Sequence, residues 1–129
     1  MKPRVLVVDH DEAITRQLFW TLCDEYEVMT ANDLQTAVRR ATIYEPDVTI
    51  LDLQARSSNS PDAGMRILDY IRSRVPHSKV LVMTSASNIA IQKDCHALGV
   101  DQFLYKPFDT ERLLAALRRL APAQHLDAV

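Results

Sequence analysis

Pro46-Asp47-Val48-Thr49-Ile50-Leu51-Asp52-Leu53 contains an unbroken run of β-branched and apolar residues, Val48 to Leu51, that closes on a carboxylate. A continuous run of this length, without polar alternation, describes a strand buried on both faces. Runs of the same kind lie upstream at Val5-Leu6-Val7-Val8 and Tyr26 to Ala31, and downstream at Val80-Leu81-Val82-Met83 and Phe103-Leu104-Tyr105. The intervening segments carry single apolar stripes at helical spacing: Ile14, Leu18, Leu22; Leu34, Ala37, Val38, Ala41; Ile67, Leu68, Ile71, Val75; Ile91, Cys95, Leu98; and Leu113, Leu114, Leu117, Leu120. Strand and helix thus alternate five times, which suits right-handed crossovers. The pattern predicts a doubly wound α/β fold, a five-stranded parallel sheet with helices on both faces.

Local punctuation supports these boundaries. Asp33, Ser87 or Asn88, and Asp109 or Thr110 stand where helix N-caps belong. Gly99 reads as a C′ glycine with Val100 beside it, and Pro46 and Pro76 stop helices. Gln54 to Ala63, rich in Ser, Asn and Pro, reads as a long loop. The expected organisation is one domain over 1–121 and a frayed tail over 122–129.

Composition narrows the function. The chain has 129 residues, 47% of them apolar and 25% charged, as in an ordinary globular domain with one core. With 15 Lys+Arg against 17 Asp+Glu and a net charge of −2, it lacks the basic field for direct nucleic-acid binding. No apolar stretch approaches the ~20 residues that span a bilayer, so neither a membrane segment nor a signal peptide is expected. Cys23 and Cys95 are too few and too far apart for a redox or zinc motif. A cytoplasmic location is the expectation. Two glycines, Gly64 and Gly99, exclude the usual glycine-rich phosphate loops.

In an open parallel sheet, ligands sit outside the carboxyl ends of the strands. The residues that close the runs there are polar: Asp9-His10-Asp11-Glu12, Asp52, Thr84-Ser85 and Lys106-Pro107. Singly, Asp11 reads equally as a helix cap and Thr84 as a strand end. Jointly, three carboxylates at one sheet edge repel and cannot all stay ionised without a cation. The chain supplies Lys106 and leaves space for a metal.

Val7-Val8-Asp9, the run ending in Asp52, Met83-Thr84-Ser85 and Lys106-Pro107-Phe108 together resemble the response-regulator receiver domains of two-component phosphorelay signalling, the CheY-like family, from Arg4 to about Ala121. The resemblance implies a (βα)5 flavodoxin-like fold and a switch, not an enzyme. It implies Asp52 as phosphoacceptor, served by a sensor histidine kinase or phosphotransfer protein. Asp9 would help hold a divalent cation, Mg2+ or Mn2+, which Asp52 and the backbone carbonyl of Gln54 would also ligate. Lys106 would neutralise the phosphoryl group, Thr84 would hydrogen-bond it, and Phe103 falls at the switch aromatic. The Lys106-Pro107 bond is often cis in this family. Output would pass through the face of the fourth helix, fifth strand and fifth helix, to a partner or a second copy. The chemistry is sound in itself, because a carboxylate is a nucleophile that can take a phosphoryl group once a metal and a lysine cancel the charge on the equatorial phosphoryl oxygens.

Two departures stand out. The family has two adjacent acids after the first strand, the second a direct metal ligand, whereas this chain has His10 there. Imidazole is a poor ligand for Mg2+ and a good one for softer ions. The alternatives are a site tuned to Mn2+ or a similar ion, Asp11 turned inward as a substitute, weakened metal-dependent phosphorylation, or His10 as an exposed loop residue. Gly64 also stands twelve positions after Asp52, which makes Ala55 to Asp62 an insertion, either a lid or partner contact or a tolerated surface loop. Trp20 reads as a packing or partner-contact residue. His77, His96 and His125 have no metal-site spacing, and Arg112, Arg118 and Arg119 form a solvated or output face.

Two other readings compete. Asp9-His10-Asp11 also resembles the opening of haloacid dehalogenase-like phosphatases, with Asp9 as nucleophile, but Asp52 would then have no task and no later acidic motif follows a strand. A pseudo-receiver, an interaction module without useful phosphorylation, rests on His10.

Overall fold

Strands Arg4–Val8 (β1), Glu27–Ala31 (β2), Val48–Asp52 (β3), Lys79–Thr84 (β4) and Gln102–Tyr105 (β5) pair in parallel in the order β2-β1-β3-β4-β5. Helices Glu12–Leu22 (α1), Leu34–Tyr44 (α2), Ala63–Arg74 (α3), Ile89–Ala97 (α4) and Thr110–Leu120 (α5) alternate with them. The structure is a computed structural model that describes residues 2–53, 63–84 and 89–122, the side chains of 89–92 excepted. The expected loop over 54–62, the Ser87 or Asn88 cap and the tail beyond 122 lie outside the described residues. Ala63, expected as the end of that loop, is the first residue of α3.

Period-two alternation divides the core into two layers. Val5, Val7, Ile50 and Met83 pack with Leu18 and Leu22 of α1 and Leu113 and Leu117 of α5. Leu6, Val8, Leu51 and Val82 pack with Ala37 of α2, Leu68 and Ile71 of α3 and Cys95 of α4. Each buried Val, Leu, Ile or Met side chain among them contributes about 1.5–3 kcal/mol by leaving water. The expected burial on both faces holds for β1, β3 and β4, the inner strands. The edges differ: Glu27 of β2 is exposed, and Leu104 alone of β5 is buried. Tyr26 precedes β2 rather than opening it, and its buried hydroxyl donates to the Ala121 carbonyl at 2.8 Å. Burial raises the Tyr26 pKa above its ordinary value, with the Glu25 charge acting in the same direction.

The caps explain the boundaries. Asp11, Asp33 and Asp109 accept the N–H groups of Ala13, Thr36 and Arg112 at 2.9, 2.7 and 2.8 Å. Gly99, at φ 79°, ends α4 with paired bonds, Gly99 N–H to His96 O and Val100 N–H to Cys95 O. Gly64 serves a different need, since a Cβ there would lie 2.5 Å from the Leu53 carbonyl oxygen. The first turn of α3 is thus pressed against the chain leaving β3, one residue beyond Asp52. Among the described residues no helix is long and apolar enough to cross a membrane.

Candidate functional site

Four of the strand ends converge at one sheet edge. Asp52 ends the central strand β3 and is 1% exposed; Asp9 follows the neighbouring β1 and is 0% exposed. Thr84 ends β4, buried, and its carbonyl accepts the Lys106 N–H at 2.8 Å, which fixes the start of the loop after β5. The Lys106-Pro107 bond is cis. From there the Lys106 ammonium reaches both carboxylates, 3.2 Å to Asp9 Oδ2 and 3.3 Å to Asp52 Oδ2.

Asp9 is held on all sides. Its Oδ1 accepts the Asp11 N–H at 2.9 Å, and its backbone carbonyl accepts the Asn32 side-chain amide at 2.8 Å. The same amide nitrogen donates to Thr15 Oγ1 at 3.0 Å, tying the loop to α1. Burial pushes the Asp9 carboxyl above its ordinary pKa; the Asp11 N–H opposes this, the Asp52 charge adds to it, and Lys106 opposes it again.

His10 supplies the third member. Its Nδ1 lies 3.5 Å from Asp9 Oδ1 and 3.7 Å from Asp52 Oδ2, and its side chain is half-exposed. Asp11 does not turn inward: it is exposed and its Oδ1 is occupied as the cap of α1. In this geometry His10 Nδ1, rather than Asp11, stands beside the two carboxylates. One ligand atom each from Asp9, His10 and Asp52 lies within 4.8 Å of the other two. A cation binding each donor at about 2.0–2.6 Å spans such a set. Two carboxylates against one fixed ammonium also leave a local negative charge, so the donor set and the electrostatics both fit a divalent cation.

Gln54 and Ser85 lie outside the described residues. Phe103, on β5, is half-buried against the layer containing Val82 and Cys95, with its ring 5.5 Å from that of His96 on α4. Asn32 and His96 are additions to the expected set. Asn32 was findable as the polar residue closing the β2 run; the contact of His96 with Phe103 was not, because it depends on where α4 lies against β5. Trp20 is 69% exposed, its ring edge-on to Phe19, and Arg118 pairs with Glu25. His77 lies beside the Glu45 carbonyl, away from the site, and His125 is outside the described residues. A groove of about 380 Å³ runs beside Lys106, between α1 and the loop into α5, lined by Ile14, Leu18, Pro107 and Phe108 among others.

This geometry has close parallels. Residues 5–118 match the response regulator receiver domain family. The transcriptional regulatory protein TrcR of Mycobacterium tuberculosis is 32% identical over 119 residues, 91% of this chain and 44% of that protein. The response regulator MprA of Mycolicibacterium vanbaalenii is 31% identical over 93% of this chain and 51% of its own length. The chain spans about half the length of these curated relatives. The crystal structure of the Vibrio cholerae chemotaxis protein CheY4 superposes with a TM-score of 0.82 at 29% identity, covering 93% of this chain and 99% of that one. By the extent of the sequence match and by a strand order that brings Asp9, Asp52, Thr84 and Lys106 to one edge, this chain belongs to the response regulator receiver domain family.

Proposed function

We propose that residues 1–121 act as a cytoplasmic phosphorylation switch in which Asp52 takes a phosphoryl group from a sensor histidine kinase or phosphotransfer protein. The observation that carries this reading is the Asp52 carboxylate at the mouth of the central strand with the Lys106 ammonium 3.3 Å away. In the transfer, an Asp52 carboxylate oxygen attacks phosphorus, the bond from phosphorus to the donor imidazole nitrogen breaks, and the electron pair leaves with the imidazole, which gains a proton. Lys106 stays within reach of the phosphoryl oxygens and offsets their charge. Asp9, His10 and Asp52 would hold a divalent cation, which supplies further charge neutralisation when bound. Asp9 is fixed for this by Asn32 and the Asp11 N–H. The groove beside Lys106, apolar at Ile14, Leu18 and Phe108, suits a donor helix laid against α1.

Readout begins at Thr84. Three new acceptor oxygens on Asp52 draw its hydroxyl toward the site, and the space it leaves accommodates the Phe103 ring. Phe103 has no hydroxyl, so its burial leaves no donor unsatisfied and its inward rotamer is unusually populated even before phosphorylation. The face of α4, β5 and α5 then changes for an output partner or a second copy of the chain.

Intact-mass measurement after treatment with a small phosphodonor tests the acceptor. One added phosphoryl group is expected, abolished by Asp52→Asn; labelling retained in the variant refutes Asp52 as acceptor.

A further inference from the structure

His10 gives the cation site a chemistry of its own. Mg2+ demands near-octahedral oxygen ligation and sheds water reluctantly, whereas imidazole suits Zn2+, Ni2+ and neighbouring ions. The ring could have pointed to solvent, as its half-exposed position in a loop would permit. Instead Nδ1 faces the two carboxylates, at 3.5 and 3.7 Å, and all three donors fall within 4.8 Å of one another. Asp11, the oxygen donor that could have restored an all-oxygen set, is committed to the N–H of Ala13. The described side-chain donors are therefore two oxygens and one nitrogen. Affinity for such a set rises from Mn2+ through Co2+ to Ni2+, with Zn2+ also high.

We propose that Asp9, His10 and Asp52 form a transition-metal site selecting Mn2+, Co2+, Ni2+ or Zn2+ over Mg2+, and that supply of such an ion gates phosphorylation of Asp52. The gating half rests on the function proposed above; the binding half does not. A domain of this kind answers to two inputs, a phosphodonor and a metal, where an all-oxygen site is kept filled by Mg2+.

The test compares the wild-type protein with His10→Asp and His10→Ala. Every site of this type binds Co2+ more tightly than Mg2+, so the informative quantity is the ratio between the two. Competition titration should give a Co2+ to Mg2+ affinity ratio at least about tenfold larger in the wild type than in His10→Asp. Pulsed electron paramagnetic resonance of the Mn2+-loaded wild type should show coupling to one imidazole nitrogen, absent in both variants. Equal ratios, or no nitrogen coupling, overturn the proposal whatever the labelling shows. Asp52 labelling that reaches half its maximal rate at the same concentration of Mg2+ as of Mn2+ overturns the gating and leaves the acceptor reading standing. Nitrogen coupling with no labelling under any ion refutes the acceptor reading and the gating with it, and leaves the metal site. Thermal unfolding midpoints of the three metal-free proteins identify a variant that is merely misfolded, and in that case the wild-type nitrogen signal decides alone.

Discussion

Replacing Gly64 with alanine should strike the site from outside it. The new Cβ would stand 2.5 Å from the Leu53 carbonyl oxygen, 2.8 Å from its carbon and 2.9 Å from its Cα. A carbon-to-oxygen contact is comfortable near 3.3 Å, so helix and strand end must separate by roughly 0.8 Å. All three atoms are backbone, which cannot rotate away. Leu53 donates its N–H to the Met83 carbonyl at 3.2 Å and adjoins Asp52, so the displacement reaches the Asp52 carboxylate. Overpacking of this kind costs about 1–3 kcal/mol. For a urea dependence of about 2 kcal/mol/M, the unfolding midpoint should fall by roughly 0.5–1.5 M. Gly99→Ala is the control. Its strain comes from a φ of 79°, its Cβ would meet only the Arg72 side chain at 3.6 Å, and it lies away from the site. It should lose about 1 kcal/mol and keep the wild-type rate of Asp52 labelling. Gly64→Ala should slow labelling even in conditions where the variant is fully folded. A Gly64→Ala protein with an unchanged midpoint and labelling rate would refute the claim that α3 sets the position of the strand end.

Other outcomes follow from the caps and the switch. Asp33→Ala should cost about 1 kcal/mol at neutral pH, read from urea midpoints. The Thr36 N–H holds the Asp33 carboxyl below its ordinary pKa, so this stabilisation is present above the unfolded-state pKa and is lost as pH falls through the folded one. The penalty of the alanine variant should therefore shrink in acid, and a penalty that grows there contradicts the cap. Tyr26→Phe should lose about 1 kcal/mol by stripping the buried Ala121 carbonyl of its donor, measured the same way. Thr84→Ala should leave Asp52 open to phosphorylation while NMR shifts around Phe103 stay in their resting positions; shifts that move as in the wild type remove Thr84 from the relay.

What could be read from the chain follows from what each feature depends on. The inner strands were legible because burial on both faces leaves continuous apolar runs, as in Val5-Leu6-Val7-Val8. Asp9, Asp52, Thr84 and Lys106 were legible as a group because a parallel sheet delivers every strand end to the same edge. The choice between His10 and Asp11 was not, since an aspartate after a strand serves equally as ligand or cap. The structure starts α1 at Glu12 with Asp11 as its cap and leaves His10 beside the carboxylates. Tyr26 reads as part of β2 because an aromatic just before Glu27-Val28-Met29 extends the strand pattern, whereas β2 starts at Glu27. Gly64 looked like the far end of a loop, and its contact with Leu53 is a tertiary fact with no local signature. The apposition of His96 and Phe103 is of the same kind.

The most direct test of the central claim is to locate the phosphoryl group. Borohydride reduction of the phosphorylated protein turns an aspartyl phosphate into homoserine, which peptide mass spectrometry assigns to a residue. Homoserine at position 52, and nowhere else, is the predicted result. Homoserine at position 9 would contradict it and revive the phosphatase-like reading, and none under any phosphodonor and metal would make the domain an interaction module that does not use Asp52.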